Sequence, residues 1–162
     1  MKPADAFKIA LNMTDYILTK YLAEFSDAEL LVRPGKDCNH IAWQLGHLIQ
    51  SEQGIVNQIR PGSGIELPAG FKEAHSKENA SCDDAGKFLT KQQYLDLYTK
   101  SRKNIKTILA DMSDDEFDKP SPKGWDQFPN VGAMMNLIVN HPMMHVGQFV
   151  VVRRLLGKPI VV

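Results

Sequence analysis

The sequence predicts an all-α protein, a four-helix bundle with one long crossover connection between its second and third helices. Four segments carry apolar residues at steps of three and four, and no segment alternates apolar and polar residues as a half-buried strand does. Between the second and third of these segments lie residues 61–90, which are rich in Gly, Pro, Ser, Asn and Asp and show no sustained period. A connection this long is typical of a crossover or of a functional cover.

The first two helices have recognisable boundaries. Apolar side chains recur along one face of the first helix: Phe7, Leu11, Ile17 or Leu18, Tyr21 and Phe25. Ser26 and Glu29 then form an S-x-x-E capping signature that opens a short extra turn. We expect the second helix to begin at Asn39, a favourable N-cap, and to end near Ile59.

The third predicted helix covers residues 91–112 and the fourth covers residues 131–156. The segment before the fourth helix, predicted as a loop, repeats an earlier pattern. LAEFSDAE at 22–29 and LADMSDDE at 109–116 share L-A-x-x-S-D-x-E, and each copy leads into a helix that carries histidines. Two related helix pairs would bring the second and fourth helices together, whereas the alternative is that a common capping solution occurs twice.

Length and charge exclude several classes of protein. The 162 residues predict a single domain over 1–162, and 19 basic against 19 acidic residues leave a net charge of zero. Such a chain lacks the basic face of a nucleic-acid-binding protein, and no apolar run approaches the roughly 20 residues that span a bilayer. Charges interrupt the N-terminal segment, and Cys38 and Cys82 form no disulfide framework. We therefore expect a cytoplasmic protein without nucleic-acid or membrane partners.

Three of the five histidines are candidates for a metal site. His141 and His145 lie four residues apart on one stripe of the fourth helix, a spacing that holds two imidazoles side by side. A third ligand must come from another helix, and His47 meets them if the second and fourth helices pack together. His40, in the first turn of the second helix, is expected to be solvated, and His75, on the long connection, is expected to be exposed.

The spacing alone leaves two interpretations open. Three neutral imidazoles bind a divalent ion and leave room for a water molecule, as in catalytic zinc sites, where the ion acidifies that water or activates a thiol. Alternatively, the same histidines are satisfied core residues. Pro142 adds another open point, because it either kinks the fourth helix after His141 or starts a new one.

Few other residues carry a signal for catalysis. Glu52 lies about 140° around the second helix from His47, so we expect a surface charge rather than a general base. Trp43 and Trp125 can line a pocket beside the histidines, although a tryptophan in a bundle is more often part of the core. The sequence contains neither a Ser-His-Asp or Cys-His arrangement nor a glycine-rich phosphate loop.

Two long stretches resemble the DinB/YfiT-like family of small four-helix-bundle proteins: SDAELLVRPGKDCNHIAWQLGHL at 26–48 and NHPMMHVGQFVVVRRLLGKP at 140–159. GFKEAH in the connection adds to the resemblance, which covers nearly the whole chain. It implies a divalent metal, zinc or nickel, bound by one histidine of the second helix and two of the fourth. In this sequence these residues are His47, His141 and His145. Pro142 departs from the family pattern, since a helix-forming residue is expected there.

The resemblance also implies a function. Metal-dependent hydrolysis and transfer of a low-molecular-weight thiol to an electrophile are the two activities that it suggests, with a small molecule as the substrate. The alternative is a non-catalytic metal-binding or stress-response module with the same three histidines and no substrate pocket. In a third interpretation the histidines are structural and the bundle is an interaction scaffold. A homodimer is expected, because bundles of this size pair through an exposed apolar helix face.

Overall fold

The computed structural model describes residues 1–161 and is built from α-helices. In chain order they are α1 (Pro3–Leu22), α2 (Ile41–Ile59), α3 (Phe71–Ala74), α4 (Lys91–Asp111) and α5 (Val131–Leu155). In this described part of the chain there is no β-strand, and an isolated antiparallel bridge joins Pro120 to Asn130. The all-α prediction is confirmed, and the four long helices begin and end within a few residues of their predicted positions, whereas α3 lies in the long connection.

The four long helices form a ring in which α1 and α2 are each packed between α4 and α5. Lys91 at the start of α4 donates to the carbonyl of Phe25, just past the end of α1, so these two helices are antiparallel. Arg60 and Asp111 are in contact at the ends of α2 and α4, so these two are parallel. The connection between α2 and α4 must therefore return along the bundle, as a crossover does.

Both copies of the repeated pattern fold in the same way. The N–H of Ser26 donates to the Glu29 carboxylate at 2.7 Å, and the N–H of Glu29 donates back to the Ser26 hydroxyl at 3.3 Å. Ser113 and Glu116 form the same reciprocal capping box, so the predicted loop opens with a turn of 3-10 helix at 114–118. Each box stops the chain after a long helix and redirects it. The helices that follow, α2 and α5, pack against each other as the repeat predicted.

The start of α2 differs from the prediction. The N-cap is His40 rather than Asn39, and its Nδ1 accepts a hydrogen bond from the N–H of Trp43 at 3.1 Å. An unprotonated imidazole nitrogen accepts as a hydroxyl or carboxylate oxygen does, so it satisfies one of the free N–H groups at the helix start.

The core consists of two apolar halves separated by a layer of polar side chains. One half contains residues such as Leu22, Leu45 and Phe149, and the other contains residues such as Ile55 and Ile105. Side chains from all four long helices form the polar layer between them: Asp15, Glu52, Arg102, His141 and His145. Burying polar groups costs free energy unless they find partners, so a polar layer inside the core is retained only where its groups are paired or have a function. The candidate functional residues are therefore those of this layer. No helix within residues 1–161 has the length and apolar character to cross a membrane.

Candidate metal centre

His47, His141 and His145 converge where α2 faces α5. One ring nitrogen from each lies within 4.8 Å of the others. The two Nε2 atoms on α5 are 3.2 Å apart, and the ring of His47 lies 5.2 Å from that of His141 and 5.5 Å from that of His145. Among the described residues this is the one group of three or more His, Cys, Asp or Glu side chains arranged to hold a metal ion. The expected convergence is therefore observed, while metal binding stays a prediction.

Gln44 fixes the proton on His145. Its amide nitrogen donates to the carbonyl of Asn39 at 2.6 Å, so its oxygen faces the Nδ1 atom of His145 at 2.9 Å and accepts from it. The proton of His145 is therefore on Nδ1, and the lone pair on Nε2 points into the site. Gln44 was missed by sequence reasoning. The sequence signal for Gln44 is its spacing, three residues before His47 and so about one turn earlier on the same helix, whereas its full burial is visible in the structure alone.

His141 has fewer protein partners than its burial requires. Its Nδ1 is buried without a hydrogen-bond partner, and its Nε2 faces the Nε2 of His145. α5 runs through Pro142 as one helix from Val131 to Leu155, so a new helix does not begin at the proline. Neutral buried histidines normally find separate hydrogen-bond partners. Two imidazole nitrogens that face each other beside a third ring are therefore better explained by a cation that they share than by a bond between them.

Electrostatics keep the three rings neutral. Burial, followed by the neighbouring histidines, lowers the pKa of His145 to about 3. Burial also lowers the pKa of His141 to about 4, with contributions from His47 and Arg102. The pKa of His47 is lowered by burial and by the charge of Lys77. A metal binds the neutral form of imidazole, so these rings are ready to coordinate near neutral pH without losing a proton.

Trp43 packs against one face of the His47 ring. The two rings are stacked 5.0 Å apart with planes only 6° from parallel. Trp43 is 5% exposed, and its indole N–H donates to the carbonyl of Ser76 at 3.0 Å. Of the two alternatives left open for this tryptophan, the core position is the correct one, and it orients a candidate ligand.

The other two histidines are buried, contrary to the prediction. His40 is 0% exposed; its Nδ1 caps α2, and its Nε2 lies 2.9 Å from the carbonyl of Cys82, to which it donates. His75 is 2% exposed; its Nδ1 donates to the carbonyl of Phe71 and its Nε2 accepts from the hydroxyl of Tyr94, each at 2.7 Å. Every nitrogen of these two rings has a protein partner, so neither ring is a candidate ligand.

Gly46 explains why His75 is buried. A Cβ atom at this position would lie 2.0 Å from Cδ2 of the His75 ring, so only glycine lets the imidazole lie against α2. The long connection folds back here over the first half of α2 instead of extending into solvent. The sequence places His75 in a segment without periodicity, and such a segment carries no signal of the surface that it covers.

Glu52 is also buried, contrary to the prediction of a surface charge. It is 0% exposed, lies 2.8 Å from Nη2 of Arg102, and accepts from the Ser101 hydroxyl at 3.0 Å. Burial raises its pKa to about 7, against the opposing effect of Arg102. The angle from His47 was correct, but α2 is packed between α4 and α5, so the side of the helix away from the histidines faces α4 and not solvent.

A cleft of about 420 Å³ opens beside His47. Its other lining residues include Gln50, Ser51, Asn57, Leu67, Lys72 and Trp125. None of the lining residues is acidic, and Oε1 of Gln50 is buried without a hydrogen-bond partner. Trp125 therefore occupies the pocket-lining position, which the sequence left open as the alternative to a core position for both tryptophans. A second cavity, of about 320 Å³, adjoins His75, whose nitrogens are already bonded.

Comparison with known proteins agrees with the fold. A crystal structure of a conserved protein from Enterococcus faecalis is similar to the chain with a TM-score of 0.79 and 18% identity, over 98% of this chain and 99% of that one. At this identity the likeness establishes the fold alone. No functionally curated protein matches the sequence. The family model of the DinB superfamily matches residues 10–149, which is most of the chain and includes all three converging histidines. The chain therefore belongs to the DinB superfamily.

Proposed function

We propose that this protein is a metal-dependent enzyme, a hydrolase or a low-molecular-weight thiol transferase, whose divalent ion is held by His47, His141 and His145. The observation that carries the proposal is the convergence of three ring nitrogens within 4.8 Å beside an open cleft. The unpartnered nitrogen of His141 supports it, because the satisfied core histidines have no such atom, and the tautomer of His145 leaves the lone pair of its Nε2 directed into the site. Three imidazoles suit zinc and nickel, the two metals that the family resemblance favours.

The ion would supply an acidified water or a bound thiolate as nucleophile. The residues of the chain orient the metal ligands and bind the substrate. Gln44 and Trp43 hold two of the ligand rings in place, and the cleft receives the small-molecule substrate. With Lys72 and no acidic residue on its lining, the cleft favours a substrate with an anionic group.

The competing proposal is a non-catalytic metal-binding or stress-response module. It uses the same three histidines but has no need of a cleft. A cavity of about 420 Å³, lined by both polar and apolar side chains, favours the enzyme, since it provides space for a second reactant next to His47. Two unpaired cysteines fit a cytoplasmic location for this enzyme.

Metal content is the deciding experiment. Untagged protein, purified without a metal column, is analysed by mass spectrometry beside a His47→Ala/His145→Ala variant and a His75→Gln control. About one equivalent of zinc or nickel per chain is expected in the wild type and the control, and none in the double variant. Absence of metal from the wild type, even after reconstitution, would contradict the proposal.

The two activities are then separated by assay. The metal-loaded protein is incubated with ester and amide substrates, and separately with glutathione or another anionic thiol and a small electrophile. Loss of activity in Lys72→Met, with full metal content, is expected if the substrate carries a negative charge. A metal-loaded protein without either activity would favour the non-catalytic module.

The homodimer remains a prediction. Large apolar side chains are exposed on α1 and α5 and would be covered in a dimer: Ile9, Met13, Tyr16, Met144, Val151 and Leu155. Light scattering on the purified protein measures the mass directly, and Met13→Lys together with Leu155→Lys is expected to convert a dimer into monomers.

A further inference from the structure

Pro142 interrupts the hydrogen bonds of α5 beside the metal centre. Because proline has no N–H, the carbonyl of Ile138, one turn earlier, lacks its usual helical donor. Ile138 is 1% exposed, so this carbonyl must find its donor inside the protein. α5 nevertheless continues to Leu155, and His141 directly precedes the proline.

Arg102 of α4 supplies the missing donor. Its side chain is buried, and its Nη1 donates to the carbonyl of Ile138 at 3.4 Å. Nε lies 3.2 Å from Oδ1 of Asp15 on α1, and Nη2 lies 2.8 Å from Oε1 of Glu52 on α2. The three nitrogens of one guanidinium therefore reach α1, α2 and α5 from α4, so a single side chain connects all four long helices.

These contacts join the two helices that carry the candidate ligands. Glu52 follows His47 by five residues on α2, and Ile138 precedes His141 by three residues on α5. The buried guanidinium contacts the Glu52 carboxylate as an ion pair and the Ile138 carbonyl through a hydrogen bond, so it limits how far these two groups can separate. Asp15 contacts the remaining side of the guanidinium. Asp15 is itself held in place, because it also accepts from Lys106 at 2.7 Å and from the Tyr98 hydroxyl at 3.1 Å.

We propose that Arg102 is a positioning residue for the metal centre: it binds the backbone carbonyl that Pro142 leaves free and thereby holds the His141 segment of α5 at its distance from His47. The inference rests on the proposed function, because His141 must be a ligand for its position to matter. It goes beyond that function by assigning the coordination geometry to a buried cation that touches none of the three histidine rings.

A purely structural ion pair would behave differently. If Arg102 only stabilised the bundle through Asp15 and Glu52, its loss would lower stability whatever residue stood at position 142. If Arg102 acts through the Ile138 carbonyl, a residue with an N–H at position 142 should replace it for metal binding. Pro142→Ala supplies that N–H and permits a helical bond to the same carbonyl.

The experiment is a double-mutant cycle of Arg102→Met and Pro142→Ala. Affinity for Co²⁺ is measured by competition with a chelator, the d–d absorption spectrum reports the coordination geometry, and urea unfolding reports stability. Arg102→Met is expected to bind Co²⁺ at least about tenfold more weakly and with a changed spectrum, whereas the double variant regains most of the affinity and the wild-type spectrum without regaining stability. Affinity and stability falling together in both variants would overturn the proposal.

Two further variants keep the test decisive. Arg102→Lys retains the charge but lacks the planar fork, so it serves if Arg102→Met does not fold; it is expected to show the same weakening and the same rescue by Pro142→Ala. Lys106→Met is the matched control, because it removes another cation from Asp15 on the same helix without touching Ile138, and its Co²⁺ affinity should stay within threefold of the wild type. A tenfold loss in Lys106→Met would overturn the proposal.

A measurement on the metal-free protein separates this inference from the proposed function. Amide hydrogen exchange over residues 138–146 should be faster in Arg102→Met and should return toward the wild-type rate in the double variant. This pattern, in a protein that binds no Co²⁺, would support the contact with the Ile138 carbonyl and sink only the metal proposal. Unchanged exchange in Arg102→Met would overturn the role of Arg102 itself.

Discussion

Two groups of histidines in this protein differ in what their ring nitrogens contact. In the pair where the long connection packs against the first half of α2, His40 and His75, all four nitrogens have partners in the protein. In the group between α2 and α5, only Nδ1 of His145 bonds to a side chain outside the group, the amide of Gln44. Nδ1 of His141 is buried without any partner.

The two groups differ in hydrogen-bond satisfaction and also in burial, because His47 and His141 are only partly buried. His40 and His75 are even less exposed than His145, at 0%, 2% and 8%. The paired rings stabilise the fold through their bonds, while the unpaired nitrogens of the other group cost stability until something occupies the space between them.

The largest effect is expected from His141→Ala. A metal ion that binds only the folded state stabilises it by about 4 kcal/mol when the free metal concentration is one thousand times the dissociation constant. Removing one of three ligands should abolish this gain. Urea unfolding with Zn²⁺ and with a chelator measures it, and His75→Ala is the control that should keep the full gain. A His141→Ala protein that Zn²⁺ stabilises as much as the wild type would contradict the assignment of the trio.

His75→Ala should lower the free energy of unfolding by about 2–3 kcal/mol in the metal-free protein, through a new cavity and the lost partner of the Tyr94 hydroxyl. Metal content should be unchanged. Tyr94→Phe removes only the hydroxyl and should cost about 1 kcal/mol. Both values come from urea titration, and a His75→Ala protein as stable as the wild type would show that the paired histidines are dispensable.

Gln44→Met should weaken metal binding tenfold to a hundredfold, about 1.4–2.8 kcal/mol, because the proton of His145 then lacks the acceptor that keeps it on Nδ1. The matched control is Gln53→Met on the same helix. Gln53 is 3% exposed and donates to the Ser101 hydroxyl, so its loss should lower stability without changing affinity. Chelator competition measures both variants, and equal affinities in the two would remove the role of Gln44.

The smallest effect is the pH dependence of the metal-free protein. The pKa values of all five histidines are lowered, chiefly by burial, so below pH 6.5 the unfolded chain binds protons that the folded protein does not. Stability must therefore fall as the pH drops. His145, with a pKa of about 3, accounts for about 2 kcal/mol of this loss between pH 6.5 and 5.

Glu52 acts in the opposite direction. With its pKa raised to about 7, it binds a proton in the folded protein between pH 7 and 4.5 that the unfolded chain does not bind, which offsets part of the loss. We expect a net loss of about 1–2 kcal/mol between pH 7 and 5. Unfolding in urea at a series of pH values measures it, and a free energy that rises toward pH 5 would contradict the neutral state of the buried histidines.

The helical architecture could be predicted from the sequence because apolar residues recur every three or four positions along each long helix, and only a helix brings residues with this spacing to one buried face. The two S-x-x-E boxes mark turns by purely local bonds, and the repeat that they form indicated that α2 and α5 would meet. His47, His141 and His145 were predicted as a group from that pairing, from their spacing and from the family resemblance. Their convergence is a consequence of helix geometry.

Tertiary structure alone decided the surroundings of these residues. Gly46 receives His75, Gln44 reaches His145 across two helices, and Arg102 pairs with Glu52 and Asp15 within the polar layer. These contacts join residues that lie from 29 to more than 100 positions apart in the sequence. Local periodicity records which face of a helix is apolar, but a buried polar side chain is stable only beside a specific partner, and the packing of the whole bundle determines which partner it meets.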